Sequence, residues 1–138
     1  MYHSFEDLAV WKRACRLAVR VYEVLGDCTD YDLKTQMTRS AVSIGSNTAE
    51  GAERDSKQEF RRFLNIAKGS AAELRTQVYI VCCIDEITDD VATELAEECR
   101  EISAMLQGLI NSLDKEWLLS LVVVAVAFAF AVILKLKT

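Results

Sequence analysis

From Trp117 to Leu134 the chain reads W-L-L-S-L-V-V-V-A-V-A-F-A-F-A-V-I-L, with Ser120 as its only polar side chain. Eighteen residues at ~1.5 Å of helical rise span roughly 27 Å, close to the ~30 Å hydrocarbon core of a bilayer. Asp114, Lys115 and Glu116 flank the stretch on one side, and Lys135 and Lys137 on the other. Trp117 stands where an interfacial aromatic would, and the two lysines have stems long enough to reach headgroups. As a buried core helix the stretch would need apolar cover on every face, and the ~116 residues before it make one domain too small to supply that. It reads as a single membrane span, which divides the chain into a soluble domain at 1–116 and a transmembrane helix with a short tail at 117–138.

The soluble part is expected to be helical. The chain has no proline and five glycines, and its wealth of Ala, Leu, Glu and Arg favours helix over a turn-rich β-sandwich. Met1 to Asp7 is polar, so no secretory signal is expected there. The localisation this implies is a single-pass membrane protein with its N-terminal domain in the cytoplasm, although the positive-inside tendency of Lys135 and Lys137 argues the other way. The five cysteines, Cys15, Cys28, Cys82, Cys83 and Cys99, make no C-x-x-C pair and fit reduced thiols packing as small apolar groups. Charge is uneven: residues 1–75 carry 12 Lys/Arg against 11 Asp/Glu, whereas residues 76–116 carry 2 against 10. A surface for nucleic acid would have to lie in the first part, because the second repels phosphate.

Apolar positions at three- and four-residue steps outline four helices. The first runs from Phe5 to Leu25 with Leu8, Trp11, Cys15, Ala18, Val21 or Tyr22, and Leu25 inward, ending at Gly26. The second carries Leu33, Met37, Ala41 and Ile44 toward Gly51, with Gly45-Ser46 as a candidate kink. Ser56 and Glu59 make a capping box for the third, whose stripe is Phe60, Phe63, Leu64, Ala67, Leu74, Val78 and Val81 and whose end falls near Asp85 or Glu86. Thr88, followed by Asp89 and Asp90, caps the fourth, with Val91, Leu95, Cys99, Ile102, Leu106, Leu109 and Leu113 inward. Four such helices on short links pack as an antiparallel bundle. The fold class is therefore all-α, and no Gly or Pro stops the fourth helix before the span. It is expected to run on as one helix of roughly 70 Å, with a hinge at Asn111–Asp114 as the alternative.

The segments F-E-D-L-A-V-W-K-R-A, Q-M-T-R-S-A-V-S-I-G-S-N-T-A-E-G-A-E-R and F-R-R-F-L-N-I-A-K-G-S-A-A-E-L, within about residues 5–113, resemble a bacterial family. Its members are small four-helix-bundle proteins found in intervening sequences of large-subunit ribosomal RNA genes. The resemblance implies a ring-shaped homopentamer and no enzymatic activity. A related branch serves diversity-generating retroelements, where a basic ring binds nucleic acid and reverse transcriptase. The family usually has proline where this chain has Gly45 and isoleucine near Thr48, and typical members stop soon after the equivalent of Leu113. The span therefore looks appended, by natural fusion or by engineering. The regular alternation of large and small residues from Val124 to Val132 points toward a designed tail.

Three sets of residues are candidates for function. Arg39, Ser43, Asn47, Glu50 and Arg54 share one face of the second helix, and Ser70, Glu73 and Gln77 offer matching steps on the third. They read as a polar site or, more simply, as a structural network that fixes register, since lone buried charges are costly. Lys12, Arg13, Arg16 and Arg20 on the first helix, with Arg61, Arg62 and Lys68 on the third, could contact a phosphate backbone if repeated around a ring. Their bland reading is a solvated face balanced by Glu23, Glu59 and the acidic fourth helix. Catalysis has little material: His3 stands alone, and no nucleophile–base pair, metal spacing, cofactor motif or phosphate-binding loop appears.

The tail carries the third set. Leu106, Ile110, Leu113, Trp117, Ser120, Val124, Ala127, Ala131 and Leu134 follow seven-residue steps as one stripe from the bundle into the membrane. Small residues at Ser120, Ala127 and Ala131 would allow close helix–helix approach; the alternative is five separate anchors dissolved in lipid. A bundle of such helices has an apolar lumen without ionisable groups, which suits a packed or dewetted assembly rather than a conducting channel. The functional expectation is a non-enzymatic homo-oligomer whose bundle gathers its spans in the bilayer, with a membrane-tethered nucleic-acid-binding accessory ring as the alternative.

Overall fold

Each of the four apolar stripes becomes a helix in the computed structural model, which describes residues 4–136. The expectations placed on His3, on Lys137 and on the Lys135 side chain lie outside the described residues. A 3-10 turn at Phe5–Asp7, with Ser4 Oγ accepting from the Glu6 amide, leads into α1 (Ala9–Val24). Then follow α2 (Tyr31–Ala52), α3 (Lys57–Cys83) and α4 (Asp89–Leu136). No strand occurs among the described residues, and the fold is all-α. Each helix packs on its two neighbours around the bundle, α1 on α2 and α4, α3 on α2 and α4; among the described residues the two diagonal pairs do not approach closely. That is the arrangement short links between antiparallel helices produce.

The starts of three helices follow from their caps. Asp30 Oδ1 accepts from the Leu33 amide at 3.0 Å, Ser56 Oγ from Glu59 at 3.3 Å and Thr88 Oγ1 from Val91 at 3.4 Å, each satisfying an orphan first-turn donor. Helix α3 stops two residues before the acids expected to end it. Glu86 N–H donates to Val81 O at 3.0 Å and Asp85 N–H to Cys82 O at 3.1 Å, with Asp85 at φ 61°. This is a Schellman motif that holds an aspartate in the left-handed region, where glycine is usual.

The core is lined by Val10, Ala14, Leu17 and Val21 of α1 and Leu25 just after it, together with Met37, Ile44, Leu64, Leu74, Val78, Leu95, Ile102 and Leu106. Each fully buried Leu or Ile contributes about 1.5–3 kcal/mol. For α1 this corrects the expected stripe by about one position. Leu8, Trp11, Cys15 and Ala18 are half-buried flanks, and Tyr22 is exposed. The helix carries apolar residues over a wide arc, and the groove between α2 and α4 decides which line sits deepest. Trp11 takes a flank where Phe5 meets it edge-on, ring centroids 5.1 Å apart.

Helix α2 runs unbroken through the candidate kink at Gly45-Ser46. Gly45 faces α1, and a Cβ there would make an ordinary contact with Cys15 Sγ at 3.5 Å. Gly51 is tighter, since a Cβ would meet Phe63 Cβ at 2.6 Å and Phe60 Cδ2 at 3.0 Å. The crossing of α2 and α3 near the foot of the bundle needs that hydrogen.

Helix α4 also crosses Asn111–Asp114 without a break, against the hinge alternative. Its 48 residues reach about 72 Å at ~1.5 Å each. Ile110 is its last buried residue among those described; Leu113 and Asp114 are half-buried, and beyond them α4 leaves the bundle.

Candidate functional site

The projecting part of α4 is the most distinctive surface of the molecule. Every described side chain from Trp117 to Leu134 is exposed, including Trp117, Ser120, Val124, Ala127, Ala131 and Leu134. By length and composition the helix is long and apolar enough to cross a membrane, and none of its apolar window is buried. The structure also divides the stripe expected to run from bundle into membrane. Leu106 and Ile110 are consumed by the chain's own core at 0% and 3% exposure, so copies could meet only along its lower part, from Trp117 onward.

The polar face on α2 and α3 is looser than a closed network. Ser43 Oγ and Ser70 Oγ are 2.9 Å apart and form its direct bridge between the two helices. Asn47 Nδ2 donates within α2 to Ser43 O at 2.8 Å and Ser43 Oγ at 2.9 Å. Arg54 pairs with Glu50 one turn back, and its guanidinium lies 5.1 Å from the Phe63 ring centre. Gln77 Nε2 donates to Glu73 Oε1 at 3.3 Å, and the buried Gln77 Oε1 has no partner among the described residues. Arg39, Glu50, Arg54 and Glu73 are exposed. Arg39 and Glu73 do line one shallow cleft with Gln36, Ser40 and Ser43. Only Ser43, Asn47, Ser70 and Gln77 sit at the helix–helix seam, so the register-fixing part is smaller than the periodicity implies. Exposed charges at this spacing can settle for partners on their own helix.

The basic residues are largely neutralised. Arg13 makes a two-pronged contact with Glu98, Nη2 to Oε2 at 2.9 Å, and Arg20 does the same with Glu94 at 2.8 and 3.0 Å. Glu23 adds a contact to Arg20 at 3.6 Å, Glu59 pairs with Arg62 at 3.6 Å, and Asp114 with Arg61 at 3.4 Å. Lys68 donates to Gln107. The hydrogen bond from Arg20 holds the Glu94 carboxyl below its ordinary value. Lys12 and Arg16, both exposed, carry no ion pair among the described residues. The acidic α4 is thus the counter-charge of α1, which composition hinted at but spacing within one helix could not reveal.

The cysteines are free thiols. Burial pushes Cys99 up to about 12 and also raises Cys15 and Cys28, while Cys82 is raised mainly by its hydrogen bond to Asp89 at 3.2 Å. Thiols held in their protonated form are poor nucleophiles and ligands. Among the described residues no three His, Cys, Asp or Glu side chains gather as a metal site.

One feature escaped the sequence reading. Where α4 leaves the bundle, an open cleft of about 310 Å³ lies against the first turns of α3, lined by Lys57, Gln58, Arg61, Leu113, Asp114 and Trp117. These residues come from two segments far apart in sequence, and antiparallel topology alone brings them together.

No curated protein matches the chain. It is similar to a solved structure from Bacteroides thetaiotaomicron, a protein of unknown function from the S23 ribosomal protein family. The TM-score is 0.70 at 26% identity, covering 74% of this chain and 98% of that one. The sequence model of the 23S rRNA-intervening sequence proteins matches residues 6–108 and stops just short of the last buried residue of α4. By that match, which takes in all of the packed bundle except its final turn, the chain belongs to the 23S rRNA-intervening sequence protein family.

Proposed function

We propose that this chain is a non-enzymatic assembly protein, in which the soluble bundle forms a homo-oligomer and gathers C-terminal helices that span a bilayer. The observation that carries the reading is the continuous apolar extension of α4, exposed on all described faces beyond a bundle that is already complete. Exposed apolar surface of this extent is stable in water only if something covers it, and lipid covers every face of a helix at once. The domain boundary at 116–117 fits the last half-buried residues, Leu113 and Asp114.

Pentameric assembly rests on the family resemblance. Tethering spans to one oligomer raises their local concentration, so weak contacts between them become populated. The apolar character of the helix favours a packed or dewetted bundle over a channel. The bundle lies on the cytoplasmic side, and the extension, natural or engineered, is a unit added to the family domain.

The test is the mass of the intact assembly in detergent, for the full chain and for the chain ending at Glu116. One shared copy number above one, with amphiphile required only by the full chain, supports the reading; monomers in both overturn it. The alternative, a membrane-tethered nucleic-acid-binding ring, draws first on Lys12 and Arg16, because Arg13, Arg20, Arg61 and Arg62 share their charge with carboxylates and Lys68 donates to Gln107. A salt-sensitive mobility shift with RNA or single-stranded DNA would favour it.

A further inference from the structure

The cleft at the exit of α4 has two unlike walls. Lys57 and Arg61, one turn apart at the start of α3, supply positive charge, whereas Leu113 and Trp117 supply apolar surface. We propose that this cleft binds an anionic phospholipid, its phosphate against Lys57 and Arg61 and the upper part of its acyl chains against Trp117. The inference rests on the membrane reading above and adds a ligand to it.

Three observations lead there. First, Trp117 opens the apolar stretch and so sits at the depth where tryptophan meets headgroups. A phosphate belonging to a lipid beside Trp117 is then at the level of the cleft without any chain being lifted from the bilayer. Second, the cleft offers both kinds of surface a lipid presents, cationic side chains from α3 and apolar ones from α4. A free anion would leave the apolar wall unused. Third, the Arg61–Asp114 pair crosses the cleft at 3.4 Å with both side chains about half exposed, and such pairs are weak. Asp114 can orient the guanidinium while other N–H donors stay available to a phosphate.

The arrangement bears on orientation too. Basic residues close to a span favour the cytoplasmic side, and acids count little in that balance. Counted by sequence alone, Lys115 is the near-side cation. The fold brings Lys57 and Arg61 to the same end, so the bundle side carries more positive charge than the linear flank shows. Anionic lipid is concentrated in that leaflet, where each nearby Lys or Arg strengthens attraction.

The test uses the full chain in neutral maltoside micelles, with Trp11→Phe so that Trp117 alone reports. Phosphatidylglycerol and phosphatidylcholine with brominated acyl chains are titrated in separately, and quenching of Trp117 is read. Phosphatidylglycerol is expected to quench at about tenfold lower mole fraction than phosphatidylcholine. K57Q/R61Q should erase that difference while circular dichroism stays unchanged. Equal quenching by the two lipids in the parent, or a preference that survives K57Q/R61Q, overturns the proposal. Excess inorganic phosphate that abolishes the preference would also overturn it, by identifying a small-anion site. No quenching by either lipid would instead remove the membrane reading itself.

Discussion

Two aspartates at the middle of the extension should release the chain from the bilayer. Twelve Leu, Ile, Val and Phe side chains lie between Trp117 and Leu134. At about −0.3 to −0.6 kcal/mol each near the helix centre they favour insertion by roughly 4–7 kcal/mol. Val124 and Phe128 are one turn apart, fully described and exposed at 62% and 72%, so neither touches the bundle. Replacing both with aspartate removes two favourable contributions and adds about 2.5–3.5 kcal/mol per charge. The swing of roughly 6–8 kcal/mol matches or exceeds the whole insertion term. The full chain should therefore resist carbonate extraction from membranes, whereas V124D/F128D should wash off, with unchanged thermal unfolding of the bundle. A single charge, Val124→Asp alone, should leave it inserted but weakened. If the parent is soluble and dispersed without amphiphile, or the doubly charged variant remains in the carbonate pellet, the extension is not held by lipid.

Three further outcomes concern the bundle. Gly51→Ala forces a methyl to within 2.6 Å of Phe63 Cβ and should cost about 1–3 kcal/mol; Gly69→Ala, where a Cβ meets nothing within 4 Å, should instead gain about 0.5–1 kcal/mol of helix stability, both read by thermal circular dichroism in detergent. Asp85→Gly relieves a left-handed aspartate at φ 61° and should stabilise by about 1 kcal/mol, an unchanged or lower melting temperature counting against the Schellman reading of this turn. The Glu94 carboxyl is depressed by Arg20, so its stabilisation is present above the unfolded value, about 4.3, and is lost as pH falls through the lower folded value; Arg20→Met should flatten that part of the acid limb, and an unaltered limb would show that this exposed pair contributes nothing.

The helices and two of their caps were legible because their signals are local. Ser56 and Thr88 act within one turn, and the long stripes of α3 and α4 allow one inward phase. The phase of α1 was not legible, since Val10, Ala14 and Leu17 compete with Leu8, Trp11 and Cys15 and only the groove decides. Gly45 read as a candidate kink because glycine weakens helices, and the helix nevertheless continues through it. The polar face on α2 was over-read for a similar reason. Spacing places Arg39 and Glu50 beside Ser43 but cannot tell a seam from a solvated edge. Pairings across the bundle, Arg13 with Glu98 and Arg20 with Glu94, and the cleft joining Lys57 to Trp117 depend on which ends meet. No short-range pattern records that.

The unbroken ladder through Asn111–Asp114 has a consequence for how spans could meet. With no hinge, the facing of Ser120, Ala127 and Ala131 is tied to that of Leu106 and Ile110, which point into their own bundle. A straight helix drifts by about 20° per heptad against a seven-residue stripe, so the small residues stay within about 60° of that direction at Ala131. Neighbouring spans would then pack beneath the bundles rather than outside them, with the small face inward. On this geometry Ala127→Leu with Ala131→Leu fills the close-approach surface, while Ala125→Leu with Ala129→Leu adds the same volume on the opposite side. Disulfide crosslinking through a Ser120→Cys thiol should fall severalfold for the first pair and hold for the second, since small residues permit backbone approach that leucine prevents. Equal crosslinking in all three chains would mean that the spans stand apart in lipid and that oligomerisation is confined to the bundle.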